Sequence, residues 1–141
     1  MSDRYRLIDN LEIHDHRGRL VIAELDTHIP MPIRRMFVLC DLPPGAIRAG
    51  HAHRRDQQWL LMIAGDCRAR IYDGKNANEI RLFKSGPSLF LPSMHWLELD
   101  QFSDDAACLV LASEKFDEGS YIRDRAEFEA LVNRQSGTEC P

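Results

Sequence analysis

No stretch of this 141-residue chain is apolar over anything near the length of a membrane span, and the opening MSDRYRLIDN lacks even the shorter apolar run of a signal peptide. Basic charge is not in excess either. The net charge is −4 and the isoelectric point about 5.8, which argues against a dedicated nucleic-acid binder. There is no CxxC pair: Cys40, Cys67, Cys108 and Cys140 are scattered, mostly in apolar contexts such as FVLC and ACLVLA, so buried thiols are expected rather than disulfides or a zinc site. Repeats, linkers and low-complexity segments are missing as well. From these absences the expectation is a cytoplasmic protein with no membrane and no nucleic-acid partner.

What is present is strand after strand. RLVIAEL, RRMFVLCDL, QQWLLMIAG, CRARIYDG, NEIRLFK, PSLFLP, HWLELDQF and AACLVLAS read as short strands. The turns between them carry Pro43-Pro44-Gly45, Asp73-Gly74 and Ser85-Gly86-Pro87. Even spacing of this kind predicts an antiparallel sandwich or barrel. In CRARIYDG, Cys67, Ala69 and Ile71 alternate with Arg68, Arg70 and Tyr72, so the first three point inward. RDRAEFEALVNRQ places Phe128, Leu131 and Val132 at helical spacing, which predicts one short amphipathic helix. Residues 1–135 form a single domain on this reading, and 136–141 a disordered tail.

One segment carries chemistry: GAIRAGHAHRRDQQWLLMIAG, residues 45–65. His51 and His53 stand two apart on a strand and project to the same side. Imidazoles titrate near neutral pH, so such a pair suits moving a proton between adjacent carbons of a carbonyl compound through an enediol. Arg48 lies three residues before His51, out of phase with it on a regular strand, where it could meet a phosphate from the rim. The spacing of Gly45, His51, His53, Gln58 and Gly65 resembles a cupin metal-binding strand pair in which the carboxylate ligand is replaced by the amide of Gln58. The second cupin motif keeps its spacing from Gly86 to Pro92, yet Leu97 occupies the histidine position. A neutral amide is a weak stand-in for a carboxylate, so no metal is expected. The metal-dependent alternative requires His95 to join His51 and His53.

The chain is also similar, along nearly its whole length, to the sugar 3,4-ketoisomerases of the WxcM-like cupin family. These enzymes convert a dTDP-4-keto-6-deoxyglucose to a 3-keto sugar. The matching stretches are RGRL (17–20), IPMPIRRMF (29–37), RAGHAHRRDQQWLLMIAG (48–65), WLELDQFS (96–103), LVLAS (109–113) and FDEGSYIRDRAEF (116–128). The resemblance implies an all-β cupin jelly roll (a double-stranded β-helix) with a short C-terminal α-helix. It further implies a homodimer with exchanged N-terminal strands, neither cofactor nor metal, and a dTDP-linked keto sugar as substrate in deoxysugar and glycan biosynthesis.

Carried over by position, His51 and His53 become the catalytic pair, one as base at C3 and the other as acid toward C4, with the division between them open. Arg48, Arg35 and Arg123 become sugar or diphosphate contacts, Gln58 a holder of a sugar hydroxyl or of a histidine, and Arg17 a residue near the sugar. Three positions depart from the pattern: Phe37 and Phe116 stand where relatives carry tyrosine, and Leu97 where they carry a polar residue. His95 compensates for Leu97 if it faces the same pocket as His51. The apolar substitutions also admit a cupin that binds a sugar nucleotide without turning it over. Trp59, Leu61 and Ile63 would leave one sheet face wet in a monomer, which favours the dimer.

Overall fold

The computed structural model describes residues 4–138, with side chains described as far as 135. Among the described residues twelve strands and one α-helix follow in order: β1 (Arg6–Ile8), β2 (Leu11–Asp15), β3 (Gly18–Ile22), β4 (Arg35–Leu39), β5 (Arg48–His53), β6 (Gln58–Ala64), β7 (Asp66–Tyr72), β8 (Ala77–Phe83), β9 (Ser88–Leu91), β10 (Trp96–Asp100), β11 (Ala107–Ala112), β12 (Tyr121–Ile122) and α1 (Arg125–Thr138), with a single 3-10 turn at Glu118–Ser120 before β12. Two five-stranded antiparallel sheets, β1-β9-β6-β11-β4 and β12-β5-β10-β7-β8, form the body, and β2 pairs only with β3. This is the cupin jelly roll with one C-terminal helix.

The core sits between the two sheets because each contributes an apolar inner face. Cys67, Ala69 and Ile71 of β7 are buried together with Leu60 and Met62 of β6, Leu97 and Leu99 of β10, and Cys108 and Val110 of β11. The inward alternation expected for β7 is observed. A second apolar cluster covers the outer face of the first sheet, where Ile29 and Met31 from the segment before β4 pack on Trp59 and Phe90. Trp59 is therefore buried within the protomer, contrary to the expectation of a wet face, while Ile63 on the same strand stays exposed.

Helix α1 closes the outer face of the second sheet. Asp124 Oδ1 accepts the Ala126 N–H at the helix entry, and Phe128 is fully buried against Trp96, Ala52 and Ile122. The helix runs to Thr138, so residues 136–138, expected as disordered tail, are helical; residues 139–141, including Cys140, lie outside the described residues. Cys67 and Cys108 are buried free thiols as expected, whereas Cys40 is exposed. Burial pushes both inner thiols up to about 12. Among the described residues no helix is long and apolar enough to cross a membrane.

Candidate active site

The site is organised by a break in β5. In its ladder with β10, Arg48 pairs with Leu99, Ala49 with Glu98 and His51 with Leu97, so Gly50 has no partner. The extra residue is a β-bulge, and Ala49 and Gly50 both adopt left-handed backbone at φ 65° and 76°. Glycine adopts this conformation freely, but an alanine there costs about 1–2 kcal/mol, strain that packing elsewhere must offset. The bulge corrects the phase argument from sequence. Leu97 and Leu99 lie on one face of β10, so their partners His51 and Arg48 share a face as well.

That face lines a cavity of about 490 Å³ between the sheets. Its apolar lining comes from Phe37, Leu60, Leu97, Leu99 and Val110, and its charged lining from Arg35, Arg48 and Arg123, with His51 and Gln58 between them. The Arg48 guanidinium makes no ion pair or hydrogen bond among the described residues, so its charge is available to a ligand anion. Arg123 lies over the Tyr121 ring at 4.5 Å and holds Glu118 through two hydrogen bonds of 3.0 and 3.1 Å. Arg35 pairs with buried Asp56 at 2.9 Å and approaches the Phe37 and Phe116 rings.

The two histidines meet edge to face, with ring centroids 4.8 Å apart, and Tyr121 packs against both at 4.9 and 4.4 Å. They do not face the same space. His51 lines the 490 Å³ cavity, while His53 lines a smaller one of about 340 Å³ shared with Arg35, Asp56 and Tyr121. Gln58 reaches His53, Nε2 to Nε2, at 3.2 Å. Burial, followed by the charges of His53 and Arg123, lowers the His51 pKa to about 4; the Ala49 backbone and Glu118 pull weakly the other way. Burial, followed by Arg35 and Arg123, likewise lowers His53 to about 4. Both imidazoles are neutral at pH 7 and able to accept a proton.

Six of the eight expected site residues are thus gathered around the histidine pair: His51, His53, Arg48, Gln58, Arg35 and Arg123. Two are not. His95 is buried with Nδ1 3.0 Å from the Ser93 carbonyl and lines a different cavity with Tyr5, Asp73 and Lys75. Strand parity does not carry back from Leu97 to His95 because β10 begins only at Trp96, directly after a left-handed turn at Met94 (φ 59°). It cannot compensate for Leu97 or join the pair as a third metal ligand. Among the described residues no three His, Cys, Asp or Glu side chains are arranged to hold a metal. Arg17 sits at the tip of the β2–β3 hairpin, exposed and bonded to Asp15, away from the cavity of its own chain.

Sequence reasoning missed Tyr121 and Asp56. Tyr121 heads the YIRD segment from which only Arg123 was selected, and its aromatic ring next to that arginine was the available signal. Asp56 stands in the charged run RRDQQ, where a buried carboxylate is indistinguishable from a solvated one.

The comparisons agree with this geometry. Residues 3–133 match the family model described as FdtA: WxcM-like, C-terminal. A TDP-4-oxo-6-deoxy-alpha-D-glucose-3,4-oxoisomerase of Aneurinibacillus thermoaerophilus is 34% identical over 127 residues, covering 90% of this chain and 91% of that protein. The crystal structure of a 3,4-ketoisomerase from Helicobacter canadensis superposes with a TM-score of 0.87 at 36% identity, over 92% of this chain and 97% of its own. QdtA, a sugar 3,4-ketoisomerase from Thermoanaerobacterium thermosaccharolyticum solved in complex with TDP, gives 0.89 at 27% identity, over 96% and 98%. With a family match across almost the whole jelly roll and relatives above 30% identity, the chain belongs to the FdtA family of WxcM-like C-terminal domains.

Proposed function

We propose that the protein is an isomerase that moves the keto group of a dTDP-linked 4-keto-6-deoxyhexose from C4 to C3. The observation that supports it most is the neutral His51 facing a 490 Å³ cavity on the same face as the unpaired Arg48. A neutral imidazole takes the proton from C3, which is acidified by the adjacent carbonyl, and the electron pair moves onto the C4 oxygen, which takes up a proton to give an enediol. Returning a proton to C4 while the C3 hydroxyl loses its own leaves a carbonyl at C3. The sum is a proton shift with no net oxidation, so the reaction consumes no co-reactant. Arg48, Arg35 and Arg123 supply guanidinium groups for the diphosphate, the last two after exchanging Asp56 or Glu118 for phosphate oxygens. Gln58 and His53 complete the polar side of the site.

The quaternary part of the reading is a homodimer with exchanged N-terminal strands. The β2–β3 hairpin belongs to neither main sheet and exposes Leu11, Ile13 and Leu20, while β4 exposes Met36 and Val38. An exchanged hairpin would cover such surfaces. Arg17 meets the sugar on this reading only in the partner's site. Three free thiols among the described residues support a reducing, cytoplasmic setting.

Phe37 and Leu97 both line the cavity, and these apolar groups favour a second reading, a cupin that binds the sugar nucleotide without turnover. Incubation with TDP-4-keto-6-deoxyglucose, followed by NMR, separates the two. A 3-keto product supports the isomerase, and saturable binding without product overturns it.

A further inference from the structure

The smaller cavity contains a buried carboxylate that the reaction as written does not use. Asp56 is 3% exposed and four donors converge on it. Oδ1 accepts the Glu114 N–H at 3.0 Å and the Ser113 hydroxyl at 3.3 Å, while Oδ2 accepts Arg35 at 2.9 Å and Gln58 Nε2 at 3.4 Å. The Ser113 oxygen already accepts the Gln57 N–H at 2.8 Å, which leaves its proton for Asp56. With donors on both oxygens, the carboxylate acts only as an acceptor.

This decides which way the Gln58 amide points. An amide oxygen facing Oδ2 would set two acceptors against each other, so the atom there is the NH2 group. The same nitrogen lies 3.2 Å from His53 Nε2 and has only protons to offer. His53 Nε2 must therefore present its lone pair, and the ring proton sits on Nδ1, on the side of Asp56 Oδ2 at 4.0 Å. Asp56 thus acts on His53 at one remove, through an amide whose two ends differ chemically.

We propose that Asp56 is a positioning residue that, by orienting the Gln58 amide, fixes His53 as the Nδ1-protonated tautomer. The lone pair of His53 is then spent on Gln58 and cannot serve as the base toward a substrate in the cavity that His51 lines. His51 has no such bond from the amide. The catalytic meaning rests on the isomerase reading above; the tautomer itself does not.

The test is long-range proton–nitrogen correlation of the histidine rings in 15N-labelled protein at neutral pH. Wild type is expected to show His53 protonated at Nδ1 and bare at Nε2. In Asp56→Asn the amide is free to reverse, and His53 should shift to the Nε2-protonated form or a mixture, with kcat down about tenfold. Should that variant not fold, because Arg35 loses its partner, Gln58→Met removes the donor at nearly constant volume and should release the tautomer in the same way. A wild-type His53 protonated at Nε2, or an Nδ1 tautomer that persists in both variants, overturns the proposal. So does an altered tautomer with unchanged kcat in an active enzyme. The ring spectrum is read whether or not the protein turns over a sugar, so a failed assay with TDP-4-keto-6-deoxyglucose refutes the isomerase reading alone.

Discussion

Lowering the pH should destabilise this fold well before its carboxylates titrate, and the two histidines set the size of the effect. Each has a folded pKa of about 4 against an ordinary value of 6.5. Between those values the unfolded chain binds a proton that the folded chain refuses, so stability is fully present above 6.5 and is lost as pH falls toward 4. The loss is about 1.4 kcal/mol per pH unit for each group. At pH 5 that amounts to about 2 kcal/mol per histidine, or roughly 4 for the pair, against the roughly 5–15 kcal/mol that holds a typical domain. Asp15, Asp73, Asp100 and Glu118 are held below the ordinary carboxylate range, so their contributions are lost only as pH falls further. The assay is urea denaturation at fixed protein concentration, followed by the fluorescence of the buried Trp59 and Trp96. From pH 7 to pH 5, wild type should lose roughly 4 kcal/mol and His51→Asn about half as much, since one titrating group is gone. An equal loss in both proteins would refute the assignment of the shift to His51, and no loss in either would refute the buried neutral pair.

The same substitution bears on catalysis: His51→Asn should fold and bind TDP while kcat falls by about 10²–10⁴, measured with the 4-keto sugar. The acid limb of wild-type kcat/KM should lie well below pH 6, in line with a base held at about 4, and a limb near 6.5 would contradict the buried setting of His51. Phe128→Ala empties a fully buried site between Trp96 and Tyr72 and should cost about 3–5 kcal/mol in the same denaturation assay. Gly65→Ala should be among the most damaging single-methyl changes. Its φ is +66°, and a Cβ would collide with the Ser103 hydroxyl and stand 2.9 Å from the Ala106 backbone, so loss of soluble expression or a large drop in melting temperature is expected.

The fold was legible where burial imposes a period. β7, β10 and β11 alternate or run apolar because their inner faces make the core, and α1 announces itself through Phe128, Leu131 and Val132. β1, β2 and β12 were not anticipated, for the opposite reason. β1 and β12 have three and two residues, and β2 faces solvent on most of its length, so no alternation distinguishes them from loop. In the site, the histidine pair was readable because two residues on one strand need only parity. His95 failed the same rule because parity holds inside a strand, and the chain turns at Met94 just before it.

Arg48 shows the limit of parity from the other direction. Counted along a regular strand, it points away from His51, and a site built on that count would lose its unpaired cation. The Ala49-Gly50 bulge inserts one residue and restores both to a single face. The sequence signal was only a glycine within a strand, which is compatible equally with a bulge or with close approach of another backbone. What distinguishes them is the pairing with β10, a contact between segments more than forty residues apart in the chain, and no local pattern contains it. The residues proposed to do the chemistry were therefore nameable from sequence, whereas their direction depended on a ladder that exists only once the second sheet has formed. The same holds for Asp56, whose influence on His53 passes through Gln58 at the start of β6, the central strand of the opposite sheet. Composition and spacing select the groups, and the two sheets closing on each other give them their roles.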